Sequence, residues 1–224
     1  MSGMDAPLDV LVIENQRHAA DQTVAALEAA GHHVHRCYEP GSPGFPCRAL
    51  EASGTCPLDH GIDLALVVRD RIEPRPTRYE TGVSCAIRAG VPVIERGPAV
   101  LDPFEPWLVG RIEDDDLAAG LRSAARRASA RLCRRILDRV CTVIHDPDAA
   151  AAIGCQLERD GTNLVVRVTG PALGTRTEQA VAVRVLDAIW SGERTFGQVD
   201  VTFDRHGVDD QRLVDGRDQG PGGR

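Results

Sequence analysis

The sequence predicts an α/β chain: a parallel sheet covered by helices, then a long helix, then a small α+β unit. Three observations carry this. The first 116 residues alternate short, wholly apolar runs with helical segments, the pattern of strands buried on both faces and joined by crossovers. Residues 117–144 form one uninterrupted helical pattern. After residue 146, the apolar residues alternate singly with polar ones, as in strands with one wet face.

The elements follow in order. DVLVIE at 9–14 is apolar throughout and ends in an acid, so it reads as a buried strand. Residues 17–30 place Ala20, Val24 and Leu27 at helical spacing, with Gly31 suited to the helix end. HHVHRC at 32–37 reads as the returning strand, IDLALVV at 62–68 as the strongest strand, and VPVI at 91–94 as another. A helix is expected over 81–89. Residues 38–60 carry Pro40, Gly41, Pro43, Gly44, Pro46, Gly54 and Pro57, which predicts a long loop in place of a crossover helix, with one helical turn near 48–52. EPRPT at 73–77 predicts a second loop.

In the long helix Leu117, Leu121, Ala125, Ala128, Leu132, Ile136 and Val140 make an apolar stripe. Acids at 113–116 precede it and seven arginines follow within 122–139, a polarity that suits the helix dipole. Next, Asp146 and Pro147 suit a helix N-cap and first position. Residues 155–159 and 164–168 alternate about Asp160-Gly161 as a hairpin. Thr175 and Glu178 have capping-box spacing for a helix ending before Gly192, and Val199, Val201 and Phe203 alternate as a last strand. The expected division is 1–116, a linking helix over 117–145, a small unit over 146–205, and a disordered tail over 206–224.

Composition narrows the function classes. The chain has 224 residues, 26 basic and 33 acidic, for a net charge of −7, and every cation is Arg. Lysine chemistry is therefore excluded. An acidic total argues against general nucleic-acid binding. The segments lack a membrane-length apolar run and the N-terminus lacks a secretory pattern, so a cytoplasmic location is expected. There is no GxSxG elbow and no glycine-rich phosphate loop after the first strand. No catalysis and no cofactor are expected.

DVLVIEN, IDLALVV, GVPVIE and WLVGRIEDDDL stand in the order and spacing by which residues 7–130 resemble the receiver domain of bacterial response regulators. The resemblance implies a five-stranded flavodoxin-like sheet with helices on both faces, and a place in signal transduction. It also implies where the switch residues belong, and there the chain departs. The acid pair after the first strand is Glu14 and Asn15, leaving one carboxylate. Val68 stands at the phosphoacceptor position, Glu95 at the hydroxyl position after the fourth strand, and Gly110, next to Arg111, at the lysine position. Phosphoryl transfer is thus not expected. A shifted loop that brings Asp70 beside Glu14 would restore a divalent site; the alternative is that Arg69 and Asp70 are solvated loop charges, paired with Glu95 or Arg96. Residues 146–204 faintly resemble BON-type or alkaline-shock-type domains, which are binding modules.

Two further constellations carry chemistry. His33, His35 and Cys37 would share one strand face, with Cys47, Cys56 and His60 in the following loop, and imidazole and thiolate suit zinc. Alternating polar residues on an edge strand are the favoured reading; a Cys47–Cys56 disulfide is the third. On the long helix Arg126, Arg127, Arg134 and Arg135 would face phosphates, solvent or an acidic protein. The expectation is a non-catalytic regulatory adapter with a phosphorylation-independent pseudo-receiver, acting through a protein partner, with homodimerisation through the long helix open. A small-molecule or metal sensor and a DNA-associated regulator are the alternatives.

Overall fold

The computed structural model describes residues 7–38, 41, 43–52, 54–98, 102–113, 116–160, 162–191 and 196–205, the side chain of Asp160 excepted. The region expected as a tail, 206–224, lies outside them.

The first sheet contains β1 (Asp9–Glu14), β2 (His33–Arg36), β3 (Leu64–Val68), β4 (Val93–Arg96) and β5 (Leu108–Ile112). All pairs are parallel, in the order β2-β1-β3-β4-β5, the order of flavodoxin-like sheets. The unbroken apolar runs of β1 and β3 follow from burial on both faces. Val10, Val12, Leu64, Leu66 and Val68 face α1 (Asp21–Ala29) and α3 (Leu117–Val140). Leu11, Ile13, Ala65 and Val67 face α2 (Thr81–Arg88) on the other side. Between β2 and β3 the chain runs as a loop with 3-10 turns at Arg48–Leu50 and Pro57–His60, so the expected helix replacement holds and a second turn joins it. The described part of the β4–β5 connection carries only a 3-10 turn, Glu105–Trp107.

Three expectations need correction. The first helix begins at Asp21, not near residue 17. The strand expected over 91–94 lies at Val93–Arg96, because Val91 still closes the preceding helix by donating to the Ala86 carbonyl and the charges of Glu95 and Arg96 find partners at the sheet. Glu95 is therefore inside β4. The capping box expected at Thr175 is absent: Gly174 caps that helix without a side-chain bond. A capping box does form at Thr77 and Glu80, at the entry to α2.

Helix α3 runs 24 residues and continues as a 3-10 turn at Cys141–Val143. Asp116 caps it by accepting from the Ala119 N–H. Its stripe serves two cores. Leu117, Leu121 and Ala124 pack on the first sheet, whereas Ile136 and Val140 pack on a second cluster. That cluster is built on β6 (Gly154–Asp160), β7 (Asn163–Gly170), β8 (Gln198–Arg205), α4 (Pro147–Ala152) and α5 (Thr175–Trp190). β6 and β7 are the expected hairpin, with Asp160 opposite Asn163, and β8 returns parallel to β7 after α5. Gly161, in the turn, is outside the described residues, as is Gly192. Leu164, Val166 and Val168 point inward, and the other face carries ion pairs such as Arg167–Asp204. Arg159 of β6 reaches back to the first sheet, donating to the Ile62 carbonyl at 2.8 Å and the Asp63 carboxylate at 3.0 Å.

His32, buried where α1 turns into β2, gives the fold a pH dependence. Its Nδ1 accepts from the Leu8 N–H at 3.1 Å, and its Nε2 is buried without a partner. Burial first, then Arg122 and His33, hold its pKa below the usual 6.5. A lowered histidine pKa favours the neutral form in the folded state, so this contribution is full above about pH 6.5 and declines as pH falls below it. His32→Asn keeps an acceptor without a titrating ring. Unfolding free energy is expected to fall more between pH 7.5 and 5.5 in the parent protein than in His32→Asn; parallel pH curves would refute the assignment.

Candidate functional site

In sheets of this order ligands bind beyond the carboxyl ends of the strands. Here those ends are filled by the chain's own side chains. Glu14 ends β1 and is buried. One of its oxygens accepts from the Ala20 N–H at 3.0 Å, at the start of α1, and the other from the Tyr38 hydroxyl. Burial, then the bond to Glu14, raises the Tyr38 pKa and keeps that hydroxyl protonated. Tyr38 stacks edge-on against Phe45 with centroids 5.1 Å apart, Phe45 lies 4.8 Å from Tyr79, and the Arg78 guanidinium covers Phe45 at 5.0 Å. Three of the chain's eight aromatic residues thus form a plug above Glu14.

Val68 stands directly opposite Glu14 in the β1–β3 register, where the resemblance places a phosphoacceptor. Asn15 is buried and ties down the following loop: its N–H donates to the Val68 carbonyl, its amide to the Arg71 carbonyl at 3.1 Å, and its carbonyl oxygen accepts from the Asp70 N–H at 3.4 Å. Asp70 itself is exposed and accepts from Gln16. It is not brought to Glu14, whose two oxygens are already engaged.

The expectation of a loop Arg69 paired with Glu95 holds for the pair but not for the solvation. Arg69 is buried and donates from Nε to Glu80 at 2.7 Å, from Nη1 to Glu95, and from Nη2 to Asp102 at 3.4 Å. Arg111 donates from β5 to the other oxygen of Glu95 at 2.8 Å, so the positions expected for the hydroxyl and for the neighbour of the lysine meet as an ion pair. Glu80 is held by its capping-box bond from the Thr77 N–H. Asp102 Oδ2 is buried without a hydrogen bond, 3.7 Å from Arg111 Nη2. Gly97 lets the chain leave β4 this close to Arg69: its φ is +102°, and a Cβ there would lie 1.8 Å from the Arg69 carbonyl. The cluster joins three carboxylates to two guanidinium groups, drawn from the end of β3, the turn before α2, β4, the β4–β5 connection and β5.

The metal candidates do not converge. His33 and His35 both turn to Asp9, at 3.5 and 2.8 Å. Among the described residues no three His, Cys, Asp or Glu side chains are arranged to hold a metal ion. All seven cysteines are free, so the Cys47–Cys56 disulfide is not formed. Burial, then Cys47, Cys56 and Cys85, push the Cys37 thiol up to about 12. A cavity of about 210 Å³ does open beside β2, lined by His35, Arg36, Arg48 and His60 among others.

On α3, Arg127 turns toward β5, donating to the Val109 carbonyl at 3.3 Å and filling the space above Gly110. Arg126, Arg134 and Arg135 are exposed and make no ion pair among the described residues. No described helix is long and apolar enough to cross a membrane. Arg69, Glu80, Asp102 and Tyr38 were not singled out in the sequence as one site. The TRYE capping-box spacing at 77–80 was the available signal for Glu80.

The chain matches no protein-family model and no curated protein.

Proposed function

We propose that residues 1–116 are a pseudo-receiver held in one state, and that the protein is a non-catalytic regulatory adapter acting through protein contacts. The observation that carries this reading is the replacement of the acceptor carboxylate by Val68 opposite a fully engaged Glu14. Valine has no atom that can take a phosphoryl group. A divalent cation would have to displace the Tyr38 hydroxyl and the Ala20 N–H from the single carboxylate. The usual movement of a hydroxyl toward a phosphoryl group has no counterpart either, because Glu95 is held between Arg69 and Arg111. The exposed Arg126, Arg134 and Arg135 favour an acidic protein surface as the partner.

The test is titration of the purified protein with magnesium and beryllofluoride, a mimic of an acyl phosphate, followed by thermal melting and tryptophan fluorescence. No saturable change is expected. Saturable binding that disappears in Asp70→Asn would overturn the proposal and make Asp70 a rebuilt acceptor.

A second reading, a sensor of small anions, rests on the cavity beside β2 with its two arginines and two histidines. It predicts that phosphate or a small carboxylate raises the melting temperature in a saturable way.

A further inference from the structure

Cys133 and Cys155 lie far apart in the chain, on different kinds of element, and no motif spacing links them. The fold brings them together. Cys133 is on the second half of α3, half-buried, and its thiol points at β6, donating to the Cys155 carbonyl at 3.4 Å. Cys155 is the second residue of β6, paired with Val168, and packs against the second core. The two side chains are close enough to shift each other's titration. Neither is oxidised in this structure.

The closeness of the two thiols makes the sulfurs unequal. Interaction with Cys155 holds the Cys133 pKa below the ordinary thiol value despite burial. The same interaction, with burial, raises Cys155. A thiolate stabilised by a neighbouring thiol is the arrangement that makes one cysteine the nucleophile and the other its resolving partner.

We propose that Cys133 and Cys155 are a redox-reactive pair that a hydroperoxide converts to a disulfide, stapling α3 to the edge of the small sheet. In the first step the Cys133 thiolate attacks the terminal oxygen of the hydroperoxide and the O–O bond breaks. Cys133 becomes a sulfenic acid, and the departing alkoxide takes up a proton as the alcohol. In the second step the Cys155 sulfur attacks the Cys133 sulfur, loses its proton, and displaces hydroxide, which leaves as water. Two thiols are oxidised by two electrons and one hydroperoxide is reduced to alcohol and water. A dithiol reductant reverses the bond. The bond closes a loop of roughly 20 residues containing α4, and it fixes the half of α3 that serves the second core.

The experiment treats the full chain with hydrogen peroxide, quenches free thiols, and reads the intact mass and peptide map. Cys141 and Cys155 share the tryptic peptide 140–159, so the map is made on Cys141→Ser. The expected result is loss of two hydrogens, a cross-link between the peptides carrying Cys133 and Cys155, and a melting temperature that rises on oxidation and returns with dithiothreitol. Cys133→Ser and Cys155→Ser should each abolish the cross-link. A cross-link confined to Cys37, Cys47, Cys56 or Cys85 would overturn the proposal. So would Cys133 oxidised without a bond to Cys155, or both thiols remaining reduced under conditions that oxidise the urea-unfolded chain.

Discussion

Arg69→Leu is expected to cost about 3–5 kcal/mol of folding free energy, the range for removing one partner from a buried ion pair. The large effect comes from what remains. Glu80, Glu95 and Asp102 are each nearly inaccessible to water, with side chains 1–2% exposed. Without Arg69 they would share the half-exposed Arg111 alone, and Glu80 would have only its capping-box bond inside the cluster. Leucine occupies much of the volume but offers no donor, so three carboxylates would face one another in a poorly solvated space. Arg71→Leu is the control. Arg71 carries the same charge two residues on, but it is 60% exposed and pairs with Glu73 at the surface, so its loss should cost under about 1 kcal/mol. Urea unfolding of both variants at pH 7 makes the comparison. Equal losses would mean that the cluster at the strand ends contributes no more than a surface pair, and the view of it as what fixes those strand ends would fail.

This cluster also marks where the sequence stops being readable. β1 and β3 were legible because burial on two faces demands an unbroken apolar run, and the hairpin of β6 and β7 because a one-sided sheet demands alternation. β4 was misplaced by two residues because Glu95 and Arg96 look like loop residues. They are tolerated in the sheet only through polar partners just after β3, in β5 and in α1: Glu95 meets Arg69 and Arg111, and Arg96 meets Thr23 at 3.2 Å. Such partners lie 16 to 73 positions away in the chain. The burial of Arg69 was hidden for the same reason, since Glu80 and Asp102 reach it from separate loops. Tyr38 and Phe45 lie in a stretch whose proline and glycine content announces only a loop. The pairing of Cys133 with Cys155 depends on how α3 lies across β6, and no local pattern encodes that. The positions of Glu14, Asn15 and Val68 relative to one another were legible through the resemblance, which sets β1 beside β3.

The division of the chain at α3 yields the other large expected effect. Leu121 and Ile136 are both wholly buried on the same helix, about 22 Å apart along its axis, but they belong to different cores. Leu121→Ala and Ile136→Ala should each cost about 2–5 kcal/mol, as cavity-forming substitutions in well-packed interiors do. We propose that the two sheets unfold as separate cooperative units, so that each loss falls on one of them. The two tryptophans allow each unit to be read alone. Trp107 immediately precedes β5 and Trp190 ends α5, and both are largely exposed, so replacing either with Phe leaves a single reporter at little cost. With only Trp107 present, Leu121→Ala should move the urea midpoint to lower concentration and Ile136→Ala should leave it nearly unchanged. With only Trp190 present, the sensitivities should reverse. Two features oppose this independence: α3 is continuous through both cores, and Arg159 bonds the small sheet to Ile62 and Asp63. If those links dominate, each substitution will shift both reporters equally, and the chain is one cooperative unit. If the cores dominate, as their separate membership along α3 implies, the unit built on the first sheet can stay folded while the small unit opens.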